Sequence, residues 1–201
     1  MYFSGSVLLA RLTENNILIP ALWITFFTFI SGLIISLGLE SIINAVQDFF
    51  ISFLFLGLVI MSGIISDAIG TAATAADVVP FNAMAAKKIP ASNQAVRIVR
   101  NADLVANLTA DVVGDIAGTL SGAIGASIVY TFNARFAMYS TIDTVLLGAA
   151  MTSLIAALTV GGKTVGKSIA INNANSIILK VAGILMWWEN LTGIELFRGR
   201  R

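Results

Sequence analysis

Residues 49–66 read FFISFLFLGLVIMSGIIS, eighteen positions without a charge, bounded by Asp48 and Asp67. A helix rises about 1.5 Å per residue, so this run covers about 27 Å, close to the roughly 30 Å of a bilayer's hydrocarbon core. It begins with large apolar side chains and ends with small ones, and AIGTAATAADVV beyond Asp67 is smaller still. Ala, Gly and Thr fill lipid contact poorly but let helix backbones approach closely, so this end of the helix is expected to face protein. The whole chain has the same character: 201 residues, 57% hydrophobic and only 11% charged, with mean hydropathy +0.90. A soluble domain carries roughly 25% charge. The sequence therefore predicts an all-α integral membrane protein, a helical bundle with short broken helices and a juxtamembrane interfacial helix.

Four spans are expected, at 17–39, 49–69, 104–130 and 144–162, together forming a transmembrane domain over 17–162. The first has no charged residue; Pro20 lies in its first turn, where a missing N–H costs nothing, and Trp23 suits an aromatic belt. Residues 1–16 read as a cytoplasmic or interfacial segment, and 40–48 and 131–143 as connectors. The stretch 80–101 holds Lys87, Lys88, Arg97 and Arg100 with Pro90, which predicts two basic surface helices broken at the proline. Residues 163–201 are expected to form a juxtamembrane interfacial segment. For 171–188 two readings stay open: a helix with Trp187 and Trp188 in the headgroup plane, or a fifth span interrupted by Lys180 and by Asn172, Asn173 and Asn175. With four spans, eleven of the twelve basic residues fall on one side and only Arg135 on the other. The positive-inside rule then puts both termini in the cytoplasm of a multi-pass cell-membrane protein, in a prokaryotic plasma membrane rather than an organelle.

The chain has neither Cys nor His, which removes disulfides, thiolate and imidazole metal sites and the commonest activated nucleophiles. No enzyme activity and no resident cofactor are expected, and a formal charge of +1 gives no reason to expect nucleic-acid binding. GGKTVGKS at 161–168 superficially resembles a phosphate loop, but no strand precedes it and the chain has no room for a nucleotide-binding sheet.

Chemistry concentrates on a few polar residues inside the spans. A carboxylate in hydrocarbon costs several kcal/mol, so Asp67, Asp111 and Asp115 should each face protein, a cavity or water. Asp111 and Asp115, four apart, are expected on one helix face, where they repel unless a cation, a proton or a basic group lies between them. Lys163 and Lys167 at the end of the fourth span are the expected counter-charges. With Ser66 and Asn107 these residues form the candidate ion-pair or cation site, and Asp111 and Asp115 are the metal-ligand candidates, with Mg²⁺ as the ion. Gly161, Gly162 and Gly166 suggest that the fourth helix ends or unwinds near Lys163. Gly114, Gly118, Gly122 and Ala126 recur every four residues and read as a close-packing strip, inside the bundle or between two copies.

Several of these stretches resemble the transmembrane domain of the CNNM/CorC magnesium transporters and efflux proteins, over about residues 50–190. SDAIGTAATA at 66–75 is similar to that family's SGxFSxxETA, NLTADVVGDIA at 107–117 to LLIGNNLVNIA, and GGKTVGKSIA at 161–170 to FGEILPKTLA. The resemblance implies a homodimeric fold, a dehydrated Mg²⁺ site, and CBS domains that would have to come from a separate polypeptide. This chain departs from the family at the site itself. Ala73 and Lys163 fall where the family has glutamates, and Asp111 and Asp115 where it has asparagines. Two functions follow as expectations. One is a scaffold or interaction subunit of a membrane complex, with lysine filling the former cation site; the other is transport or efflux of Mg²⁺ or another divalent cation.

Overall fold

The computed structural model describes residues 18–45, 49–136 and 144–196; the segment expected at 1–16 lies outside them. Every regular element among these residues is helical. Helix α1, Leu18–Ala45, belongs to a unit of its own. The second unit begins with α2, Phe49–Ala75, followed by two short helices, α3 at Val78–Ala86 and α4 at Ser92–Arg100. A long rod comes next: α5 at Ala102–Ala106, a π-helical stretch at Asn107–Val113, and α6 at Gly114–Phe136. The chain closes with α7, Thr144–Asn172, and α8, Ala174–Thr192.

Among the described residues, three helical segments are long and apolar enough to cross a membrane: Phe50–Ala75, Ala102–Arg135 and Thr144–Asn172. In α1 the described apolar stretch is Leu22–Gly38, shorter than these three. Helix α2 lies at the centre of its unit and touches the rod, α7 and α8. Its inward face runs through Leu56, Ile60, Gly63, Asp67 and Gly70, alternating steps of four and three that hold one side of a 3.6-residue helix.

Several boundaries differ from the sequence expectation. Residues 40–45, read as connector, continue α1, and α6 runs on to Phe136. The expected break near Lys163 does not occur, because α7 is helical from Thr144 through Asn172. Gly162 and Gly166 are contact points, while Gly161 faces open space. A Cβ on Gly162 would collide with Ile64 Cδ1, and one on Gly166 would come within 3.2 Å of Ile64 Cγ2. Close packing on α2 thus offsets a helix-propensity cost of about 1 kcal/mol per glycine. The discontinuity sits instead in the rod, where Gly114 N–H reaches back to Thr109 O, five residues away. Gly70 makes room for this wider turn: a Cβ there would lie 2.8 Å from Thr109 Oγ1 and 3.2 Å from Ala106 Cα.

The short helices and α8 gather at the end of the bundle where α2 and α7 terminate. Asp77 caps α3 by accepting the Val79 N–H at 2.9 Å, and its own N–H donates to Asn175 Oδ1 at 3.0 Å. Pro90 separates α3 from α4, and the residues near it, Lys88 (φ 56°) and Ala91 (φ 64°), both take the left-handed conformation. That costs a non-glycine residue about 1 kcal/mol, and the buried contacts that follow hold the turn in place. Ala72, Phe81, Ala95, Ile98, Ala170 and Ile178, contributed by five different helices, form one cluster with almost no exposed surface.

Candidate functional site

The polar residues of the spans meet at one level of the bundle, near the closing ends of α2 and α7 and the start of the rod. Ser66 and Asp67 come from α2, where the inward face passes between them, and both are buried. Ser66 Oγ donates to Thr109 O at 2.6 Å. That carbonyl also receives the long-range Gly114 N–H, so the π-helical stretch turns a backbone oxygen toward α2. Thr109 Oγ1 in turn donates to Val105 O at 2.9 Å, and Thr71 Oγ1 to Asp67 O at 2.9 Å.

Two lysines reach this level from α7, one helical turn apart. Lys167 Nζ lies 3.5 Å from Asp67 Oδ2, pairing a half-exposed ammonium with a carboxylate whose side chain is 6% exposed. Asp67 Oδ2 has no hydrogen-bond partner, so the attraction is that of a charge at a distance. Lys163 Nζ lies 3.8 Å from Asp115 Oδ1, and here the carboxylate is open, at 77%. Gly114 lies beside this second contact, and a Cβ on it would sit 3.6 Å from Lys163 Nζ, an ordinary contact distance.

The expected pairing is thus realised in part and rearranged in part. Lys163 does meet Asp115, but Lys167 meets Asp67 rather than the Asp111/Asp115 pair. Asp111 is exposed and makes no ion pair among the described residues; Asn107 is exposed as well. Asp111 lies within the π-helical stretch and Asp115 beyond it, and a wider turn removes the simple four-residue stacking on which the expectation rested. No three acidic side chains converge among the described residues in a way that could hold a metal ion. As a Mg²⁺ shell, Asp111 and Asp115 would need oxygens from elsewhere.

The expected packing strip also shifts. Gly114 faces α2 closely, its missing Cβ 3.9 Å from Gly63 O, but Gly118 and Gly122 have nothing within 4 Å and Ala126 is exposed. Four residues turn a helix about 40° past a full revolution, so three such steps carry Ala126 about 120° away from Gly114. The buried face of α6 follows Ala117, Ser121, Ile124 and Ile128, whose steps alternate between four and three.

Sequence reading missed a second polar centre, between α4 and α8. Arg97 Nη2 donates to Glu189 Oε1 at 2.8 Å and to Oε2 at 2.6 Å, Gln94 Nε2 to Oε2 at 3.0 Å, and Leu196 N–H to Oε1 at 3.1 Å. Burial alone would raise the Glu189 carboxyl, but these hydrogen bonds and the guanidinium charge outweigh it and leave it below its ordinary value. One signal was available: Glu189 follows an apolar run ending in Trp187 and Trp188, a place that calls for a partner.

Comparison with protein-family models, with curated proteins and with solved structures finds no match. The resemblance to the CNNM/CorC domain therefore has no family-level support, and what stands is an all-helical, membrane-spanning bundle with buried charged side chains.

Proposed function

We propose that this chain is a scaffold or interaction subunit of a membrane complex, in which lysines of α7 take the places a cation would otherwise fill. The observation that supports this reading most is the Asp67–Lys167 contact, a buried carboxylate answered by an ammonium of the same chain. Lys163 beside Asp115 repeats the arrangement one turn away. An internal counter-ion balances the charge of the acid, so on this reading the bundle needs neither ion nor proton to fold. With α1 as a fourth span, eleven of twelve basic residues lie on the side of both termini, which the proposal takes as cytoplasmic. A second copy of the chain, or another subunit, covers the open face around Gly118 and Gly122. No catalytic step is assigned.

A second reading has its own support. The hydrogen-bond vacancy at Asp67 Oδ2, an Asp111 with no ion pair among the described residues, and the π-helical stretch beside them are features of sites that exchange ions. Under it the chain moves Mg²⁺ or another divalent cation, with Lys167 as a gate that swings away.

Reconstitution of the full chain separates the two. The scaffold reading expects no Mg²⁺ uptake into proteoliposomes and no change in melting temperature at millimolar Mg²⁺. Uptake that Asp67→Asn abolishes would overturn it in favour of transport.

A further inference from the structure

Helix α8 carries two apolar faces. One is covered: Ala174, Ile178 and Ala182 are buried against α2, α4 and the end of α7. The other is bare, with Ile184, Trp187, Trp188 and Leu191 at 68, 62, 49 and 64% exposure. Their steps of three, one and three place them on a single stripe of the helix. Water is a poor neighbour for such a stripe, and a patch of this kind marks an interaction surface. The position of α8 says which surface. It starts one residue after α7, an apolar helix of 29 residues, or about 43 Å, the thickness of a bilayer with its headgroups. Paired tryptophans on the helix that follows are suited to the headgroup region, where an apolar ring with one polar N–H finds both of its solvents.

The charges around α8 complete the picture. Lys180 lies on α8 itself; Arg100 closes α4, which packs against α8; Lys87 and Lys88 form the turn that leads into α4. All four are exposed, and none has an ion-pair partner among the described residues. We propose that the bare face of α8 beds in the headgroup layer of an anionic leaflet, with Lys180, Arg100, Lys87 and Lys88 holding lipid phosphates around it. The helix then serves as a lipid-reading plate rigidly joined to the bundle through Arg97 and Glu189. This inference needs only that the bundle spans a membrane, and it stands or falls separately from the scaffold reading.

The test uses the full chain with Trp23→Phe, which leaves Trp187 and Trp188 as the only tryptophans, in phosphatidylcholine vesicles with or without phosphatidylglycerol. Bromine placed just below the headgroup should quench their emission more than bromine near the bilayer centre. Stronger quenching from the centre would overturn the proposal in favour of a fifth span. Absence of quenching from either depth would overturn it in favour of a protein-covered or solvent-facing helix. Native mass spectrometry of the unmutated chain should show retained phosphatidylglycerol. Changing Lys87, Lys88 and Lys180 to Gln should lower its preference over phosphatidylcholine about fivefold per residue. An unchanged preference in the triple variant would remove the anionic-lipid part of the proposal.

Discussion

The Glu189 centre and the Asp67 centre each set one shielded carboxylate against one basic side chain, yet they are built in opposite ways. Glu189 is gripped by a guanidinium, an amide and a backbone N–H, so both of its oxygens are occupied. Asp67 faces a single flexible ammonium at 3.5 Å and has an oxygen without a hydrogen bond. A planar guanidinium reaching both oxygens fixes direction as well as charge, whereas an ammonium on a four-carbon stem is a point charge that can depart and return. The first centre joins α4 to α8 as a structural bond. The second supplies neutrality and leaves geometry open, which is why both functional readings turn on it.

The comparison can be broken most forcefully at Glu189. Arg97→Ala strands a carboxylate that is 9% exposed and should cost about 3 kcal/mol in detergent unfolding. Arg97→Lys should recover only part of that, because a single ammonium cannot both meet Glu189 and keep the second guanidinium nitrogen's bond to Leu196 O. The pH dependence follows from the lowered Glu189 carboxyl. Its stabilising contribution is complete above the ordinary carboxylate range and disappears as the pH falls through the lowered, folded-state value. Glu189→Gln should therefore be less stable than the parent at neutral pH and should lose less on acidification. Equal acid sensitivity in the two proteins would mean that the centre does not act as a charged unit.

A smaller effect is expected at Asp67. Lys167→Ala should cost about 2 kcal/mol, less than the Arg97 change, since Lys167 is half exposed and makes no hydrogen bond with the acid. Adding Asp67→Asn should restore part of the loss, and the double-mutant cycle measures the coupling. Additive losses would show that the 3.5 Å approach carries no energy. The smallest effect belongs to Lys163→Ala, about 0.5 kcal/mol by the same unfolding measurement, because its partner Asp115 is largely exposed. A loss as large as that of Lys167→Ala would place Asp115 in a drier setting than its exposure within one chain suggests, such as an interface with a second copy.

Much of the fold was legible in the sequence, because uncharged runs at 49–66 and 144–162 leave few alternatives to a membrane helix. Helix ends were harder to read. In the headgroup layer polar and small residues cost a helix little, so hydropathy fades at 69 and 162 while α2 and α7 continue to Ala75 and Asn172. Gly162 and Gly166 misled for a related reason: a glycine that breaks a helix and one that admits Ile64 look identical until the neighbour is known. That the acids of the spans would call for basic partners on the last span was readable from the cost of charge in hydrocarbon, and Lys163 and Lys167 do approach Asp115 and Asp67. Which lysine meets which acid was not, since it depends on the register between α7 and α2. The Glu189 centre stayed hidden because its partners lie more than ninety residues apart in sequence.

The π-helical stretch at 107–113 has a consequence for how the rod keeps time. Ala106 and Ala110 meet Gly70, and Ala117 meets Gly63, so both halves of the rod present small residues to the same neighbour. Ahead of Gly114 those residues come at a beat of four; beyond it the buried face of α6 keeps the ordinary alternation of threes and fours. The wide turn is where one rhythm hands over to the other, letting two stretches with different periods share a single seam. A regular α-helical path through the same residues would leave each half internally sound and set them out of phase by about one residue, roughly 100°, with one of them turned away from α2.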